Sequence, residues 1–206
     1  MGGYLIASQP VKFLYSSLSP EEIPPILYSE DGQPLSEIAL VGRSNVGKSS
    51  LINHLLQQKI AYISNKPGKT QTINLISAPP FCFVDLPGYG FAKVSKAVKN
   101  QWDLTLRTYF LRDSLRVALL LIDSRRDFTA TDLAFIDFTE QLNLPLLIVF
   151  TKWDKLSAPE QGRKHHQISD HYQQFSSYPI ITYSIKTTQA RKHLLSSLES
   201  FIRPLS

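Results

Sequence analysis

The segment that most constrains this chain is a glycine-rich stretch, residues 42–49, that directly follows the apolar run 38–41. It satisfies every fixed position of the pattern G-x-x-x-x-G-K-[ST]. Glycines let consecutive backbone N–H groups surround phosphate oxygens, the lysine reaches the β- and γ-phosphates, and the serine hydroxyl can ligate Mg²⁺. The alternative is a glycine turn with an incidental lysine, but the strand before it and the helix expected after it favour phosphate binding. We therefore expect a nucleoside triphosphate to contact Gly42, Arg43, Ser44, Asn45, Val46, Gly47, Lys48 and Ser49.

A second motif predicts which base is bound. Thr151-Lys152-Trp153-Asp154 follows the apolar run 144–150 and matches the arrangement [NT]-K-x-D. The Asp154 carboxylate can accept hydrogen bonds from guanine N1–H and N2–H₂, a pair that adenine does not offer, while the Lys152 stem covers the base plane. Loss of such bonds in a buried site discriminates by about 10⁴. The alternative is an aspartate that caps a helix, but the phosphate-binding segment upstream favours guanine.

Between these motifs, Asp85-Leu86-Pro87-Gly88 ends an apolar strand with the spacing D-x-x-G. In a nucleotide-binding chain, Asp85 would hold Mg²⁺ through water and the Gly88 N–H would meet the γ-phosphate. The spacing alone is weak evidence, because it also occurs in plain turns. Together with the other two motifs, it places these four residues in the predicted nucleotide site.

The loop after the first predicted helix supplies further candidates. A threonine hydroxyl there can complete Mg²⁺ coordination only when the triphosphate is bound, and Thr70 is favoured over Thr72. The predicted metal ligands are therefore Ser49, Thr70 and Asp85. The predicted nucleotide contacts of this loop are Gly68, Lys69, Thr70, Gln71 and Thr72, and a backbone N–H near the end of the last predicted strand, among Tyr183, Ser184 and Ile185, should reach guanine O6.

Residue 89 is a tyrosine, at the position where Ras-type enzymes place the glutamine that orients the attacking water. We therefore expect slow intrinsic hydrolysis. As a hypothesis, Asn45 helps to hold a K⁺ ion whose charge replaces a missing arginine finger. The predicted catalytic residues are Lys48, Thr70, Gly88 and Asn45.

The order of predicted elements indicates an α/β fold. Apolar runs near 37–42, 72–77, 81–85, 116–122, 146–151 and 179–184 alternate with helical patterns, which is typical of a doubly wound, mostly parallel six-stranded sheet with helices on both faces. Residues 1–35 are proline-rich and predict an extended or loosely helical arm packed on a single domain, 36–206. A helix near 97–112 would turn Trp102, Leu106, Tyr109 and Phe110 to the core.

The composition restricts the setting and the partners. The apolar runs are shorter than the roughly 20 residues of a membrane helix, so we expect a cytoplasmic protein, and nothing in the sequence suggests a dimer interface. The net charge of +5 and five basic clusters, among them Arg125-Arg126, fit a phosphate-rich partner such as RNA, although each cluster alone is more often a solvated face. Asp123 and Asp127 flank this arginine pair and are expected in a surface loop.

Taken together, the motifs resemble the EngB (YihA or YsxC) family of ribosome-biogenesis GTP-binding proteins. The resemblance rests on GRSNVGKSSLIN at 42–53, PGKTQTIN at 67–74, DLPGYGFAKV at 85–94, LLLIDSRRDFTATD at 119–132 and TKWDKL at 151–156. It implies a Ras-like P-loop GTPase domain and Mg²⁺-dependent binding of GTP and GDP. It also implies a role in assembly of the large ribosomal subunit, with rRNA and ribosomal proteins as partners, and a requirement for normal septation.

Two functions fit this resemblance. In one, GTP orders the loops around Thr70 and Tyr89, the protein docks on rRNA, and hydrolysis releases it. In the other, the protein is an RNA- or protein-binding placeholder whose GTP hydrolysis is vestigial. The missing glutamine favours the placeholder slightly, whereas the complete set of expected Mg²⁺ ligands favours the switch.

Overall fold

A seven-stranded sheet forms the centre of the fold in the computed structural model, which describes residues 10–61, 72–88, 106–172 and 178–201. The strands are β1 (Lys12–Ser17), β2 (Ser36–Gly42), β3 (Ile73–Ala78), β4 (Phe81–Asp85), β5 (Leu115–Asp123), β6 (Leu146–Thr151) and β7 (Ile180–Thr182). They lie side by side in the order β1-β3-β4-β2-β5-β6-β7. Strands β4, β2, β5, β6 and β7 pair in parallel, and β3 runs antiparallel to both of its neighbours. The mostly parallel α/β sheet predicted from the sequence is therefore confirmed.

The predicted count of six strands is wrong, because the amino-terminal arm contributes a seventh. Strand β1 pairs with β3 from Lys12 opposite Ser77 to Ser17 opposite Ile73. Its residues are mostly exposed or half-buried, so they carry little of the hydrophobic alternation from which a strand is recognised in sequence. Hydrogen bonding along the open edge of β3 forms this strand, and that edge exists only once the sheet has assembled.

Helices connect the strands and cover both faces of the sheet. They are α1 (Lys48–Leu56), α2 (Ala130–Gln141), α3 (Ala158–Tyr172) and α4 (Thr188–Glu199), with short 3₁₀ turns at Pro20–Glu22 and Trp153–Lys155. Residues 106–110 are also helical and end the helix expected at 97–112, whereas 97–105, including Trp102, lie outside the described residues. No helix within the described ranges is long and apolar enough to cross a bilayer.

Two hydrophobic clusters lie on opposite faces of the sheet, as the strand alternation requires. In β2, Ile38 and Leu40 join the cluster that includes α1 and α4, whereas Ala39 and Val41 join the other one. The second cluster contains the predicted core residues Tyr109 and Phe110, against which Leu106 packs. It also contains residues of the amino-terminal arm, namely Ile23, Leu27 and Leu35.

A buried ion pair fixes this arm at the amino-terminal end of β2. The Glu37 carboxylate is fully buried and accepts hydrogen bonds from Arg112 Nη2 at 2.7 Å, Ser114 Oγ at 2.7 Å and the Tyr109 hydroxyl. The Arg112 guanidinium also donates to the carbonyl oxygens of Ile23 at 3.3 Å and of Pro24 at 2.6 Å. The Arg112 side chain therefore pairs with the buried Glu37 carboxylate and also holds the arm against the sheet.

We predict that Arg112→Leu lowers the free energy of unfolding by about 3–5 kcal/mol, because it leaves the buried Glu37 carboxylate without its cation. Guanidinium denaturation at neutral pH measures this change. Arg107→Leu is the matched control, since Arg107 is exposed and its contact with the Phe138 ring, at 5.4 Å, is worth about 0.5–1 kcal/mol.

The double variant Glu37→Leu/Arg112→Leu removes both charges and should be more stable than Arg112→Leu alone. Equal losses in the Arg112 and Arg107 single variants would contradict the assignment of a structural ion pair.

Candidate functional site

The candidate site lies at the carboxyl ends of the parallel strands. Gly42 ends β2, Asp85 ends β4, Asp123 ends β5 and Thr151 ends β6. Strand β2 lies between β4 and β5; from β2 the chain continues to β3 on one side, and from β4 it crosses to β5 on the other side. Ligands of open parallel sheets bind in the crevice that such a divergence creates.

The phosphate loop, residues 42–49, starts at a glycine that tolerates no side chain. Gly42 has a φ of +154°, and a Cβ atom there would lie 2.6 Å from the Leu121 carbonyl oxygen on β5. Gly47 has a φ of +114° and directly precedes α1, whose first residue is Lys48. These two glycines let the backbone pass close to β5 and turn directly into the amino terminus of a helix, where N–H groups are free to bind an anion.

Two opposite charges are buried under this loop. Lys48 and Asp85 are both less than a tenth exposed. Burial lowers the pKa of the Lys48 amine, although the attraction of Asp85 works in the opposite direction. Burial also raises the pKa of the Asp85 carboxyl, against the influence of Lys48 and of a hydrogen bond from Ser49. Both shifts have the same main cause, which is the removal of these charges from water.

The residues around Asp85 fit a Mg²⁺ ion. The Ser49 hydroxyl donates to Asp85 Oδ2 at 2.8 Å. The other carboxylate oxygen, Oδ1, is buried and finds no hydrogen-bond partner in the part of the chain that the structure describes. A hydroxyl and an unpaired carboxylate oxygen side by side are the hard oxygen donors that Mg²⁺ prefers. The metal would neutralise charge on bound phosphates.

The glycine of the D-x-x-G motif lies directly on the phosphate loop. A Cβ atom at Gly88 would lie 2.9 Å from the Ser44 amide nitrogen and 3.1 Å from Lys48 Nζ. Leu86 and Pro87, which lead into it, are buried. The backbone after β4 therefore contacts the residues that would surround a terminal phosphate.

The loop after β6 is tied to the phosphate loop by two side chains. Thr151 Oγ1 donates to the Val46 carbonyl oxygen at 2.8 Å. Lys152 has a left-handed backbone conformation, with a φ of +57°, and its amine donates to the Asn45 carbonyl oxygen at 2.7 Å. The two sequence motifs, 107 residues apart at this contact, therefore form one continuous wall.

Asp154 lies next to the loop that follows β7. Its carboxylate accepts a hydrogen bond from Ser184 Oγ at 2.9 Å and lies 3.2 Å from Lys186 Nζ. Partial burial opposes its ionisation, but these two groups outweigh burial and lower the pKa of Asp154. A carboxylate that stays ionised in this position can accept the N–H groups of a base. The neighbouring Trp153 ring packs edge-on against the His165 ring, with centroids 4.7 Å apart.

The structure gives Tyr183 a different place from the one expected of a base contact. Its N–H already donates to the Phe150 carbonyl oxygen at 2.8 Å, and its carbonyl oxygen accepts from the Trp153 N–H at 3.1 Å. The side chain is buried and its hydroxyl lies 2.6 Å from His54 Nδ1 on α1. Tyr183 therefore braces the loop from behind, which leaves the amides of Ser184 and Ile185 as the candidates for guanine O6.

Asp123 belongs to this site, although the sequence indicated only a surface loop. It is buried at the end of β5, opposite Thr151 in the parallel register. Its carboxylate lies 3.0 Å from Lys152 Nζ and 2.6 Å from Arg125 Nη2. Burial opposes its ionisation, yet hydrogen bonds from Arg125 and Lys152 prevail and lower its pKa. The sequence does contain a signal for Asp123, because this residue ends an apolar run, as Asp85 and Thr151 do.

Several predicted residues fall outside the described part of the chain. They are Gly68, Lys69, Thr70, Gln71 and Tyr89. Thr72 is described, and its hydroxyl donates to Asn74 Oδ1 at 3.2 Å, at the start of β3.

Comparison with known proteins identifies the family. Residues 37–152 match the family model described as 50S ribosome-binding GTPase. A probable GTP-binding protein EngB from Thermotoga petrophila is 38% identical over 197 residues, which cover 95% of this chain and 97% of that protein. The chain belongs to the EngB family of GTP-binding proteins. Another member, from Desulfotalea psychrophila, is 40% identical over 93% of this chain and 97% of its own length. Membership implies binding of GTP and GDP, typically with Mg²⁺.

Solved structures agree on the Ras-like P-loop fold. Era, in complex with MgGDPNP and nucleotides 1506–1542 of 16S ribosomal RNA, matches with a TM-score of 0.68 and 24% identity over 84% of this chain and 60% of the Era chain. A probable GTP-binding protein engB matches with a TM-score of 0.59 and 23% identity over 80% of this chain and 97% of that one. These similarities show the fold.

We predict that Gly88→Ala weakens binding of a GTP analogue by about tenfold or more, because the added methyl group would press on backbone atoms of Ser44 that have little room to move. Titration with a fluorescent GTP analogue measures the affinity. Gly162→Ala is the control: it lies within α3 with nothing within 4 Å of the new Cβ, so it should leave the affinity unchanged and stabilise the helix by up to about 1 kcal/mol. Unchanged affinity in both variants would contradict the close contact at Gly88.

Proposed function

We propose that this EngB protein is a Mg²⁺-dependent GTP switch that acts in assembly of the large ribosomal subunit and is needed for normal septation. The observation that carries the switch is the contact of Gly88 with Ser44 and Lys48. A segment that touches the phosphate loop so closely has to respond when a terminal phosphate enters or leaves.

The phosphates bind the backbone amides of the phosphate loop and the Lys48 amine, which is already buried before any ligand binds. Ser49 and Asp85, together with Thr70, would hold Mg²⁺, which would offset charge on the phosphates. The triphosphate state is recognised by Thr70 and by the Gly88 N–H. Hydrolysis would remove the γ-phosphate and with it these contacts. GTP and GDP would therefore differ in their effect on the segments that follow Thr70 and Gly88.

Guanine is recognised by Asp154, whose carboxylate accepts N1–H and N2–H₂ while an amide of Ser184 or Ile185 donates to O6. Support comes from Ser184 and Lys186, which keep this carboxylate ionised. The stem of Lys152 covers one face of the base, and the hydrogen bond of its amine to the Asn45 carbonyl oxygen holds it in place.

The partner is a precursor of the large ribosomal subunit, through rRNA and ribosomal proteins. The matching family is described as ribosome-binding, and Era, of the same fold, has been crystallised with a segment of ribosomal RNA. A net charge of +5 favours a polyanionic partner. The protein acts in the cytoplasm as a monomer.

We predict that the protein co-sediments with large ribosomal subunits in the presence of a non-hydrolysable GTP analogue and not with GDP. The Asp154→Asn variant sharpens this test, because its amide should pair with xanthine in place of guanine. It should co-sediment with a non-hydrolysable xanthosine triphosphate analogue and no longer with the GTP analogue at the same concentration.

Co-sedimentation of wild type in all nucleotide states would instead support a placeholder with vestigial hydrolysis, the function favoured by Tyr89 in the glutamine position. Retained response of Asp154→Asn to the GTP analogue would contradict the assigned base contact.

We further predict that K⁺ accelerates GTP hydrolysis by about tenfold over Na⁺, equivalent to about 1.4 kcal/mol of transition-state stabilisation, because a cation held by Asn45 would offset charge in the transition state. Asn45 has a φ of +60°, so Asn45→Gly removes the amide without adding backbone strain and should abolish the difference. Turnover measured in matched KCl and NaCl buffers decides this, and equal wild-type rates would exclude the K⁺ hypothesis.

A further inference from the structure

A second cleft opens beside the phosphate loop on its β5 side. It is lined by residues 43–46 of the phosphate loop, by residues 121–123 and 125–127 at and after the end of β5, and by Asp132 and Lys152. Its volume is about 230 Å³. That is below the 300–1,000 Å³ typical of sites for whole small molecules, so the cleft suits a single anionic group better than a nucleotide.

This cleft shares one wall with the nucleotide site but does not reach its predicted metal and base positions. Of the residues described, Ser49 and Asp85 at the predicted Mg²⁺ position and Asp154 at the predicted base position do not line it. The two sites share the phosphate loop as a partition, together with Lys152, which reaches the Asn45 carbonyl oxygen.

The carboxylates in the cleft are already engaged. Asp123 is bound by Arg125 and by Lys152. Asp127 lies 2.8 Å from the amine of Lys164 on α3. Asp132 accepts hydrogen bonds from the Thr129 N–H at 2.7 Å and from the Thr129 hydroxyl at 2.6 Å, as the second half of the α2 capping box.

Two arginines keep their charge available. Within the described residues, neither Arg43 nor Arg126 has a carboxylate within 4 Å. Arg43 is half-buried, where an unpaired guanidinium is costly unless an anion meets it. The backbone of Arg126 is held by Lys164, whose amine donates to its carbonyl oxygen at 2.6 Å. Guanidinium groups bind phosphate through paired N–H donors.

We propose that this cleft binds a phosphate group of an RNA backbone through Arg43 and Arg126. The shared chemistry is a phosphate anion, and the RNA source rests on the proposed ribosomal function. The small volume admits one phosphate at a time, and Arg126 is exposed, so that a phosphate within a longer RNA strand can reach it. A backbone phosphate carries no sequence information, so the cleft positions the RNA and leaves sequence to be read elsewhere.

The test uses the protein bound to a non-hydrolysable GTP analogue, the state expected to dock on ribosomal RNA, and a fluorescein-labelled single-stranded RNA of mixed sequence. Anisotropy titrations over a series of salt concentrations compare wild type with Arg126→Gln. The matched control is Lys192→Gln, which removes the same charge from an exposed position of α4, on the opposite face of the sheet from α2. Arg126 is preferred to Arg125 because Arg125 holds Asp123, which in turn holds Lys152.

Arg126→Gln should bind this RNA about tenfold more weakly than wild type and reduce the slope of log affinity against log salt by about 0.7, the contribution of one phosphate contact on a single strand. Affinity for a fluorescent GDP analogue should not change, and Lys192→Gln should retain wild-type RNA binding. Equal weakening in the two variants would overturn the cleft as a site, because overall charge would then explain the binding.

Inorganic phosphate separates the two possible sources of the ligand. If phosphate competes with the RNA for wild type, and Arg126→Gln loses this competition, the RNA backbone assignment is supported. Phosphate binding by wild type that depends on Arg126, without any RNA binding, would overturn the RNA occupant. Nucleotide-dependent sedimentation with ribosomal subunits that is unchanged in Arg126→Gln, together with equal RNA affinities, would overturn the cleft and leave the proposed function standing.

Discussion

The burial of Lys48 and Asp85 beneath the phosphate loop is the constraint on which the rest of the site depends. Both charges are removed from water, and burial lowers the pKa of Lys48 and raises that of Asp85 even though the two groups attract each other. Each of these buried charges can therefore attract a ligand group of opposite charge. A triphosphate with its metal would bring charges opposite to those of Lys48 and Asp85, and preorganised groups favour such binding. Desolvation therefore makes the site both costly to the empty protein and strongly attractive to phosphate and metal.

The two ends of the parallel strands have different roles: one end contains stabilising contacts, and the other carries the candidate site. At the amino-terminal end of β2, Glu37 and Arg112 form a saturated network that fixes the arm, residues 106–112 and the sheet together. At the carboxyl ends, by contrast, the buried Asp85 Oδ1 atom is left without a hydrogen-bond partner among the described residues. Since parallel strands all point the same way, one rigid edge can hold several loops in register.

Cross-connections between loops unite motifs that are distant in sequence. Thr151 and Lys152 bind carbonyl oxygens of the phosphate loop, Tyr183 bonds to Trp153 and Phe150 through its backbone, and its hydroxyl reaches His54 on α1. A few short contacts therefore join the predicted base position to the phosphate loop. The same wall, through Asp123 and Lys152, borders the arginine cleft, so the nucleotide site and the proposed RNA site share structural elements.

The sequence by itself determined the family, the parallel α/β sheet and the three nucleotide motifs. Each of these depends on the spacing of residues that are close in sequence. Examples are the glycines at 42 and 47, the apolar runs of the strands, and the short motifs. Only the tertiary structure decided that Lys12–Ser17 forms a seventh strand, that Tyr183 turns its hydroxyl to His54, and that Asp123 joins the site. The physical reason is common to all three, since each depends on a partner from a distant part of the chain: an open strand edge, a histidine on helix α1, or a lysine that follows the neighbouring strand. Such a partner leaves no trace in the local sequence pattern, because only the folded sheet brings it within hydrogen-bonding distance.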